Sequence, residues 1–334
     1  MSIVSVLERL ALGRTLGEEE AAAALREIVE GKATEAQIGA FLMALRVRGE
    51  TVEEIAGAAR ELRRHAVPVR SSRFPLLDTC GTGGDGAGTF NISTAAALVA
   101  AASGVAVAKH GNRAMSGKVG GADVLEKLGV PVELDAERAA RMLDEHGFVF
   151  LFAPAFHPAM RRVAGPRREL GVRTLFNLLG PLANPASPTH QLLGVFAPPW
   201  VEPLARVLGR LGVRRALVVH GHGGLDEISP AGPTVVAEFC GDGVRRYEIE
   251  PRHLGSKTHP VEALRVGSAA ESARRIVAVL EGREGADFDV VAMNAGAALY
   301  AAERTSSLAE GVELARTTLR SGRARSLLEE LSRA

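Results

Sequence analysis

The sequence predicts an α/β protein in which a small all-helical domain precedes a larger domain built on a β-sheet. The first 66 residues contain only segments with apolar residues at i, i+3 and i+4 spacing, separated by glycines. From about residue 74, short β-branched runs alternate with helical patterns, which is typical of an α/β sheet domain. At 334 residues the chain can form one large or two modest cores. We expect a helical domain over 1–66 and an α/β domain over 70–334.

The N-terminal region predicts four helices. The segments that show the helical spacing are "SVLERLALG", "GEEEAAAALREIVEG", "TEAQIGAFLMALRVRG" and "TVEEIAGAARELRRHA". Their apolar faces are larger than one small helical layer needs to cover itself, which favours a contact with a second copy of the chain through these helices.

The later region predicts strands that alternate with helices. Strands are expected at 74–78 and 105–108 and within the runs "FVFLFAP", "QLLGVFAP", "ALVVHG" and "DVVAMNAG". The stretch 234–250 alternates in polarity around Gly241 and Gly243 and predicts a hairpin. The segments "SAAESARRIVAVLEG" and "LAEGVELARTTLRSG" predict two further helices with solvated charges.

Composition narrows the class of protein. Charged residues make up 24% of the chain and the formal net charge is +1, so no strong field favours nucleic acid or a membrane surface as partner. Cys80 and Cys240 lie far apart without metal-ligand spacing and predict reduced thiols in a cytoplasmic protein. The start of the chain lacks the pattern of a signal peptide, and no apolar run is long enough to predict a membrane span.

A glycine-rich loop predicts an anion site. Gly81, Gly83 and Gly86 have G-x-G-x-x-G spacing and lie between the strand at 74–78 and a helix at 93–102, where Ser93 or Thr94 is placed to cap the helix. Backbone N–H groups in such a loop can converge on a phosphate, aided by the positive end of the helix.

The same spacing is also typical of dinucleotide sites, but the following residues argue against one. A dinucleotide site needs an acidic residue about 20 positions on for the ribose hydroxyls, and no Asp or Glu stands between Asp85 and Asp123. The second strand is instead followed by Lys109, His110 and Arg113 on another glycine-flanked loop. Two glycine loops, one of them basic, suit a ligand with several phosphates.

An acidic pair follows a third strand. Asp226 and Glu227 come directly after "ALVVHG" and a glycine-rich turn, where paired carboxylates can ligate Mg²⁺ directly or through water. The alternative is a solvated acidic turn. His220 and His222 form an H-x-H pair nearby, but oxygen ligands suit Mg²⁺ better, so we do not expect a transition-metal site.

Four motifs together resemble the anthranilate phosphoribosyltransferase family. They are "GTGGDGAGTFNIST", "KHGNRAMSGKVGGAD", "FAPAFHPAMRRVAGPRRELGVRTLFNLLGPLANP" and "VVHGHGGLDEIS". The resemblance covers nearly the whole chain in order. It implies a mostly parallel central sheet of the nucleoside phosphorylase/phosphoribosyltransferase type, a helical domain with a contribution from about 165–188, and a cytoplasmic homodimer. It also implies anthranilate and phosphoribosyl pyrophosphate as substrates, Mg²⁺ as cofactor, and the second step of tryptophan biosynthesis as function.

The resemblance also assigns site residues. For phosphoribosyl pyrophosphate it implies Gly81, Gly84, Asp85, Thr89, Asn91, Ile92, Ser93, Thr94, Lys109, His110, Gly111, Asn112, Arg113, Ala114, Met115, Ser116, Gly117 and Gly121. For anthranilate it implies Gly81, His110, Asn112 and Arg167, and for the metal Ser93, Asp226 and Glu227. The sequence departs from the family at Gly117, Val119 and Gly121, which are often serines, so contacts there are expected from backbone N–H groups rather than hydroxyls.

Some of these residues also have plainer interpretations. Ser93 can be a helix cap, "KHGNR" can be a polar turn, and an arginine such as Arg167 in a helix is usually a surface charge. His157 can line the same pocket as Arg167 or simply cap or pack, and Arg168 is expected in solvent. The rival functions are a nucleoside phosphorylase, against which Arg167 and the acidic pair argue, and a non-catalytic nucleic-acid binder, which a net charge of +1 disfavours.

Overall fold

The computed structural model describes residues 2–114, 119–241 and 243–334. Within these residues the chain forms fifteen α-helices and a single seven-stranded sheet. The helices are α1 (Ile3–Ala11), α2 (Glu18–Val29), α3 (Glu35–Arg48), α4 (Val52–Arg64), α5 (Ile92–Ala102), α6 (Gly121–Lys127), α7 (Ala136–His146), α8 (Ala153–Phe156), α9 (Arg161–Leu170), α10 (Phe176–Leu179), α11 (Val201–Arg210), α12 (Ala269–Leu280), α13 (Ala286–Ala301), α14 (Leu308–Arg320) and α15 (Arg323–Leu331). The strands are β1 (Leu76–Gly81), β2 (Ala106–Gly111), β3 (Phe148–Phe152), β4 (His190–Gly194), β5 (Arg215–Gly221), β6 (Thr234–Cys240) and β7 (Gly243–Ile249).

The sheet is mostly parallel, as the resemblance implies. Its strand order is β3-β2-β1-β4-β5-β6-β7, and the first five strands in this order run parallel. β6 and β7 form the antiparallel hairpin that the sequence predicts. Strand order reverses direction between β1 and β4, and in such sheets ligands bind in the crevice at the carboxyl ends of the strands around that point.

The four predicted N-terminal helices are confirmed as α1 to α4. The side chains of Ser2, Thr34 and Thr51 accept hydrogen bonds from the first turns of α1, α3 and α4, which satisfies backbone N–H groups left free at a helix start. α9 packs against α3, and α10 against α4. The core of this helical layer continues onto one face of the sheet, whereas α5 and α13 cover the other face.

Three of the predicted strands need correction. Residues of "DVVAMNAG" lie in α13 rather than in a strand, because a continuous apolar run also fits a helix buried on all sides, and α13 is buried from Phe288 to Ala301 apart from Asp289. β1 begins at Leu76, and Phe74, predicted to be within a buried strand, is 60% exposed. β2 continues to Gly111, so Lys109 and His110 belong to the strand and not to the loop after it.

No helix in the three described ranges is both long enough and apolar enough to cross a membrane.

Candidate active site

The glycine-rich loop connects the end of β1 to the start of α5. Gly83, Gly84, Gly86 and Gly88 all have φ between +67° and +74°, a left-handed conformation that residues with a Cβ adopt at a cost. The side chain of Asp85 turns back into the loop, where Oδ1 accepts a hydrogen bond from the Ala87 N–H at 3.1 Å. The glycines therefore let the backbone fold tightly at the crevice.

The cap of α5 is Asn91, so the prediction that Ser93 or Thr94 caps this helix is wrong. Asn91 Oδ1 accepts from the Thr94 N–H at 3.0 Å and from the Ser93 hydroxyl at 3.3 Å. The amide oxygen of Asn91, two residues before Ser93, reaches the free backbone N–H of Thr94 in the first turn more directly than a hydroxyl of Ser93 or Thr94 can. The Thr94 hydroxyl is buried and has no hydrogen-bond partner among the described residues.

Lys109 lies beneath the first turn of α5. Its ammonium donates to the Thr79 carbonyl and, at 3.0 Å, to the Ser93 hydroxyl. The side chain is buried, and burial lowers the pKa of Lys109, while the nearby Asp78 carboxylate opposes that shift. The predicted point charge is thus present at the helix start, held by a strand that extends further than the sequence indicated.

His110 and His157 form a buried pair of rings. Their centroids lie 5.1 Å apart in an edge-to-face arrangement. His110 Nδ1 lies 3.2 Å from the Gly180 carbonyl, so Nδ1 carries the hydrogen and donates it, which leaves Nε2 as an acceptor. Burial lowers the pKa of His110 to about 3 and that of His157 to about 4, so both rings are neutral at pH 7. Nε2 of His110 and both ring nitrogens of His157 lack hydrogen-bond partners in the described part of the chain.

Asp226 and Glu227 lie against the glycine-rich loop. The Gly83 N–H donates to Asp226 Oδ2 at 2.7 Å. Room for Asp226 depends on glycine at the ends of β1 and β4, since a Cβ on Gly81 would overlap the Asp226 carboxylate and one on Gly194 would overlap its backbone carbonyl. The acidic pair therefore sits at the point where strand order reverses.

The carboxylates of this pair repel one another. Burial, with a further contribution from Asp85, raises the pKa of Asp226 to about 7. Burial and the neighbouring Asp226 raise the pKa of Glu227 well above its usual range, and the Lys109 charge and the Ser93 N–H only partly oppose this. The Lys109 charge thus does not offset the cost of burying these neighbouring carboxylates.

This donor set fits Mg²⁺. Carboxylate oxygens with unbalanced charge are the hard ligands that the ion prefers. Among the described residues no group of three or more His, Cys, Asp or Glu is placed to hold an ion by itself. Mg²⁺ is usually held by one or two carboxylates together with substrate phosphates and water, so two carboxylates beside a loop that is predicted to bind phosphate are sufficient.

Arg167 lies on α9 with its guanidinium 5.4 Å from the centre of the Phe176 ring. The residue is half-buried, and burial lowers its pKa. No carboxylate in the described ranges pairs with it, and the same holds for its exposed neighbour Arg168, which is in solvent as predicted. A desolvated guanidinium without an ion pair is well placed to receive a carboxylate from a ligand.

The basic loop after β2 is described only in part. Asn112 Oδ1 accepts from the Arg113 N–H at 2.8 Å, and the Arg113 guanidinium donates twice to Glu126, each time at 2.6 Å. The side chain of Arg113 is thus engaged by protein, while the Ala114 N–H donates to Asp123 Oδ2 at 2.9 Å. The predicted residues Met115, Ser116 and Gly117 lie outside the described residues.

The remaining predicted residues surround the two loops. Gly111 and Gly121 both face the Phe150 ring, and a Cβ on Gly111 would lie 2.8 Å from it. Thr89 forms a β-bridge with Arg265. Ile92 is 1% exposed, so its side chain belongs to the core and only its backbone is available to a ligand.

Sequence reasoning missed two polar groups. Arg173 donates to the Gly84 carbonyl and stacks 4.2 Å from the centre of the Phe196 ring. Asp78, buried within β1, accepts from the His110 N–H at 3.2 Å and from Asn184 Nδ2 at 2.8 Å. An aspartate inside an otherwise apolar strand was the available signal for Asp78, because a buried carboxylate needs such partners.

Comparison with protein families and with individual relatives identifies the class of protein to which the chain belongs. Models of the glycosyl transferase family match residues 4–66 as its helical bundle domain and residues 73–325 as its a/b domain. Anthranilate phosphoribosyltransferase from Thermomicrobium roseum is 54% identical over 98% of this chain and 96% of its own, and that from Symbiobacterium thermophilum is 53% identical with the same coverage.

Solved structures agree with these relatives. The crystal structure of anthranilate phosphoribosyltransferase from Thermus thermophilus has a TM-score of 0.93 and 51% identity, covering 98% of this chain and 99% of that one. The enzyme from Saccharomyces cerevisiae, in complex with PRPP and Mg, has a TM-score of 0.89 and 30% identity, with 98% and 96% coverage. The chain belongs to the anthranilate phosphoribosyltransferase family.

Proposed function

We propose that this protein transfers the phosphoribosyl group of 5-phosphoribosyl 1-pyrophosphate to the amine of anthranilate. The products are N-(5-phosphoribosyl)anthranilate and pyrophosphate, and the reaction is the second step of tryptophan biosynthesis from chorismate. The proposal rests on two unlike features of the chain, one suited to each of the two substrates. A glycine loop beside Asp226 and Glu227 suits a metal-bound pyrophosphate, and the unpaired, half-buried Arg167 suits a carboxylate.

The phosphates would be held chiefly by backbone. The glycine loop and the first turn of α5 supply N–H groups at the positive end of a helix. Lys109 adds a charge beneath that turn. The individual contacts of the predicted residues from Gly81 to Thr94 and from Lys109 to Gly121 remain a proposal. Because the guanidinium of Arg113 is bound to Glu126, we expect the backbone of Arg113 rather than its side chain to contact the ligand.

Asp226 and Glu227 would hold Mg²⁺. When bound, the ion neutralises charge on the departing pyrophosphate. Ser93 is proposed as a further ligand, although its hydroxyl already accepts from Lys109. The yeast relative in complex with PRPP and Mg supports the pairing of this metal with this substrate.

Anthranilate would lie between Arg167 and the histidine pair. The guanidinium would bind the carboxylate, while the free acceptor nitrogens of His110 and His157 can take hydrogen bonds from the amine. Gly81 and Asn112 complete the proposed set. A structure of the yeast relative in complex with 4-fluoroanthranilate supports a site for this class of ligand.

The chemistry then requires little proton transfer. The aromatic amine is neutral at pH 7 and already nucleophilic, so orientation by Arg167 and exclusion of water are the main tasks of the protein. The histidines would keep the pocket uncharged where positive charge develops on the ribose, because both are neutral at pH 7.

The homodimer is proposed to form through the N-terminal helices. Three of the exposed large apolar residues lie on or beside α1 and α3: Val4, Leu12 and Val47, which are 51%, 70% and 80% exposed. Val47→Asp should shift the molecular mass by light scattering from dimer to monomer, and an unchanged mass would contradict this placement. The domain division at 66–70, the contribution from 165–188 and the cytoplasmic location stay predictions.

The experiment that tests the proposed function follows the fluorescence of anthranilate. Consumption should require both phosphoribosyl pyrophosphate and Mg²⁺ and should stop after exhaustive chelation. Full turnover without metal contradicts the metal role, and no consumption under any condition contradicts the function. Inosine with inorganic phosphate, the substrates of a phosphorylase, should give no reaction.

A further inference from the structure

Arg173 connects the segment that carries Arg167 to the glycine-rich loop. It lies between α9 and α10, six residues after Arg167 in the chain. Its guanidinium donates to the Gly84 carbonyl and stacks on the Phe196 ring, with 4.2 Å between the guanidinium carbon and the ring centre. Among the described residues Arg173 is the hydrogen-bond donor to this carbonyl.

The backbone that follows Arg173 is held in place by hydrogen bonds. The next residue, Thr174, is buried, and its N–H donates to Asn177 Oδ1 at 3.0 Å, while the Asn177 N–H donates back to the Thr174 carbonyl at 2.9 Å. The backbone of Phe196 is held as well, since its N–H donates to the Thr82 hydroxyl at 2.9 Å, and its partly buried side chain packs against the core. Arg173 therefore joins two rigid supports to a loop whose own residues are mostly glycine.

The hydrogen bond sets the direction of a peptide group. In a trans peptide the C=O and N–H point in opposite directions, so holding the Gly84 carbonyl also fixes the direction of the Asp85 N–H. Gly84 has φ +73° and could otherwise rotate at little cost. Amide groups of this loop are the donors that an anion would use, so their orientation before binding determines affinity.

We infer that Arg173 is a positioning residue that holds the glycine-rich loop in its pyrophosphate-binding conformation, acting through the Gly84 carbonyl and the Phe196 ring. The inference rests on the proposed function. It places Arg173 in the binding of phosphoribosyl pyrophosphate, although the residue lies in the same chain segment as Arg167, which is proposed to bind anthranilate. Loss of Arg173 should raise the KM for phosphoribosyl pyrophosphate and leave kcat and the KM for anthranilate nearly unchanged, because the loop contacts are made in ground and transition states alike.

The experiment compares four single variants of the full chain: Arg173→Ala, Arg173→Lys, Phe196→Leu and Arg168→Ala. The dissociation constant of phosphoribosyl pyrophosphate with Mg²⁺ is measured by calorimetry, and KM and kcat by anthranilate fluorescence. Arg173→Ala should weaken binding about ten- to a hundredfold, the value of a charge-assisted hydrogen bond. Phe196→Leu should weaken it about two- to fivefold, the value of an exposed cation–π contact. Arg168→Ala is the matched control and should match wild type.

Arg173→Lys separates positioning from direct contact with phosphate. A lysine keeps the charge but cannot stack its flat fork on Phe196, so affinity should stay well below wild type. The dependence of binding on salt should be the same in Arg173→Ala and wild type. Full rescue by lysine, or a weaker salt dependence in Arg173→Ala, would make Arg173 a direct phosphate ligand and overturn the inference, as would wild-type affinity in Arg173→Ala.

Failure of the proposed function is distinguishable from failure of this inference. A wild-type chain that neither binds phosphoribosyl pyrophosphate nor consumes anthranilate contradicts the function. A wild-type chain that does both, with an Arg173→Ala variant equal to it, contradicts only the role of Arg173. If Arg173→Ala unfolds, Phe196→Leu and Arg173→Lys still test the support through the ring.

Discussion

Gly194 ends β4 so close to Asp226 that the backbone carbonyl of Asp226 occupies the place where a Cβ on Gly194 would stand. The strand and the acidic turn after β5 therefore pack backbone to backbone at the centre of the crevice. Because the contact involves main-chain atoms rather than a flexible side chain, a larger residue at 194 cannot be accommodated by a change of rotamer. The position of the proposed metal ligands thus depends on a residue that has no side chain of its own.

The first prediction concerns this contact. Gly194→Ala should displace the turn at Asp226 and raise the Mg²⁺ concentration for half-maximal activity about tenfold, comparable to the loss of a supporting partner of a metal ligand. Titration of activity with Mg²⁺ measures the effect. Gly39→Ala is the control, since Gly39 lies in α3 with no neighbouring atom within 4 Å of where its Cβ would stand, and it should leave the titration unchanged. A normal titration for Gly194→Ala would show that the turn is not held by this contact.

The second prediction removes the carboxylates themselves. Asp226→Ala combined with Glu227→Ala should raise the Mg²⁺ requirement by about a hundredfold or more, because contacts to charged groups are worth about 1.5 to 3 kcal/mol each and two are lost. The variant should fold normally, since burial raises the pKa of both groups and their charged forms oppose folding at neutral pH. Wild-type rates at limiting Mg²⁺ would refute the metal assignment.

The helical domain, the alternation of strands and helices and the hairpin could be predicted from the sequence because each follows from local periodicity, whereas the mostly parallel order of the sheet was implied by the family resemblance. α13 could not, since its residues are apolar on nearly every side and carry no clear period. The run in α13 thus fits a strand equally well, and only its packing against α5 and α14 decides the matter.

The candidate site could likewise be predicted from the sequence only in part. Motifs located the glycine loop and the acidic pair, whose meeting at Gly83 and Asp226 the structure describes. The cap of α5 was assigned to the wrong residue because Asn91, Ser93 and Thr94 are all good caps and only backbone geometry chooses among them. Arg173 was missed because its partner is a carbonyl from a distant loop, which has no sequence signal.

The third prediction concerns stability in acid. His157 has its pKa lowered by burial to about 4, whereas in the unfolded chain it is about 6.5. Below pH 6.5 the unfolded state therefore binds a proton that the folded state does not, so this residue makes the free energy of unfolding fall between about pH 6.5 and 4. His157→Gln should flatten that fall, as measured by urea denaturation at several pH values.

The pH dependence of the wild type alone does not isolate His157, because Asp78 changes the free energy of unfolding in the opposite direction. Burial raises the pKa of Asp78 to about 6, so its protonation stabilises the folded state as the pH falls through the same range. His222→Gln, at an exposed position, is the control and should leave the wild-type slope. An equal slope in His157→Gln and wild type would mean that burial does not lower the pKa of His157, because the folded and unfolded states would then bind its proton over the same pH range.

The last prediction concerns Arg167, which separates this family from phosphorylase relatives. If its guanidinium binds the carboxylate of anthranilate, Arg167→Ala should raise the KM for anthranilate about ten- to a hundredfold, the value of a charge-assisted contact, and change that for phosphoribosyl pyrophosphate much less. Arg168→Ala, one residue along the same helix and in solvent, should change neither. Aniline lacks the carboxylate, so its slow reaction should be nearly the same with Arg167→Ala as with wild type. The two substrates and two proteins form a cycle whose coupling energy isolates the single interaction. Equal losses for anthranilate and aniline, or a loss confined to phosphoribosyl pyrophosphate, would place Arg167 on the phosphate side and leave the carboxylate to be bound elsewhere.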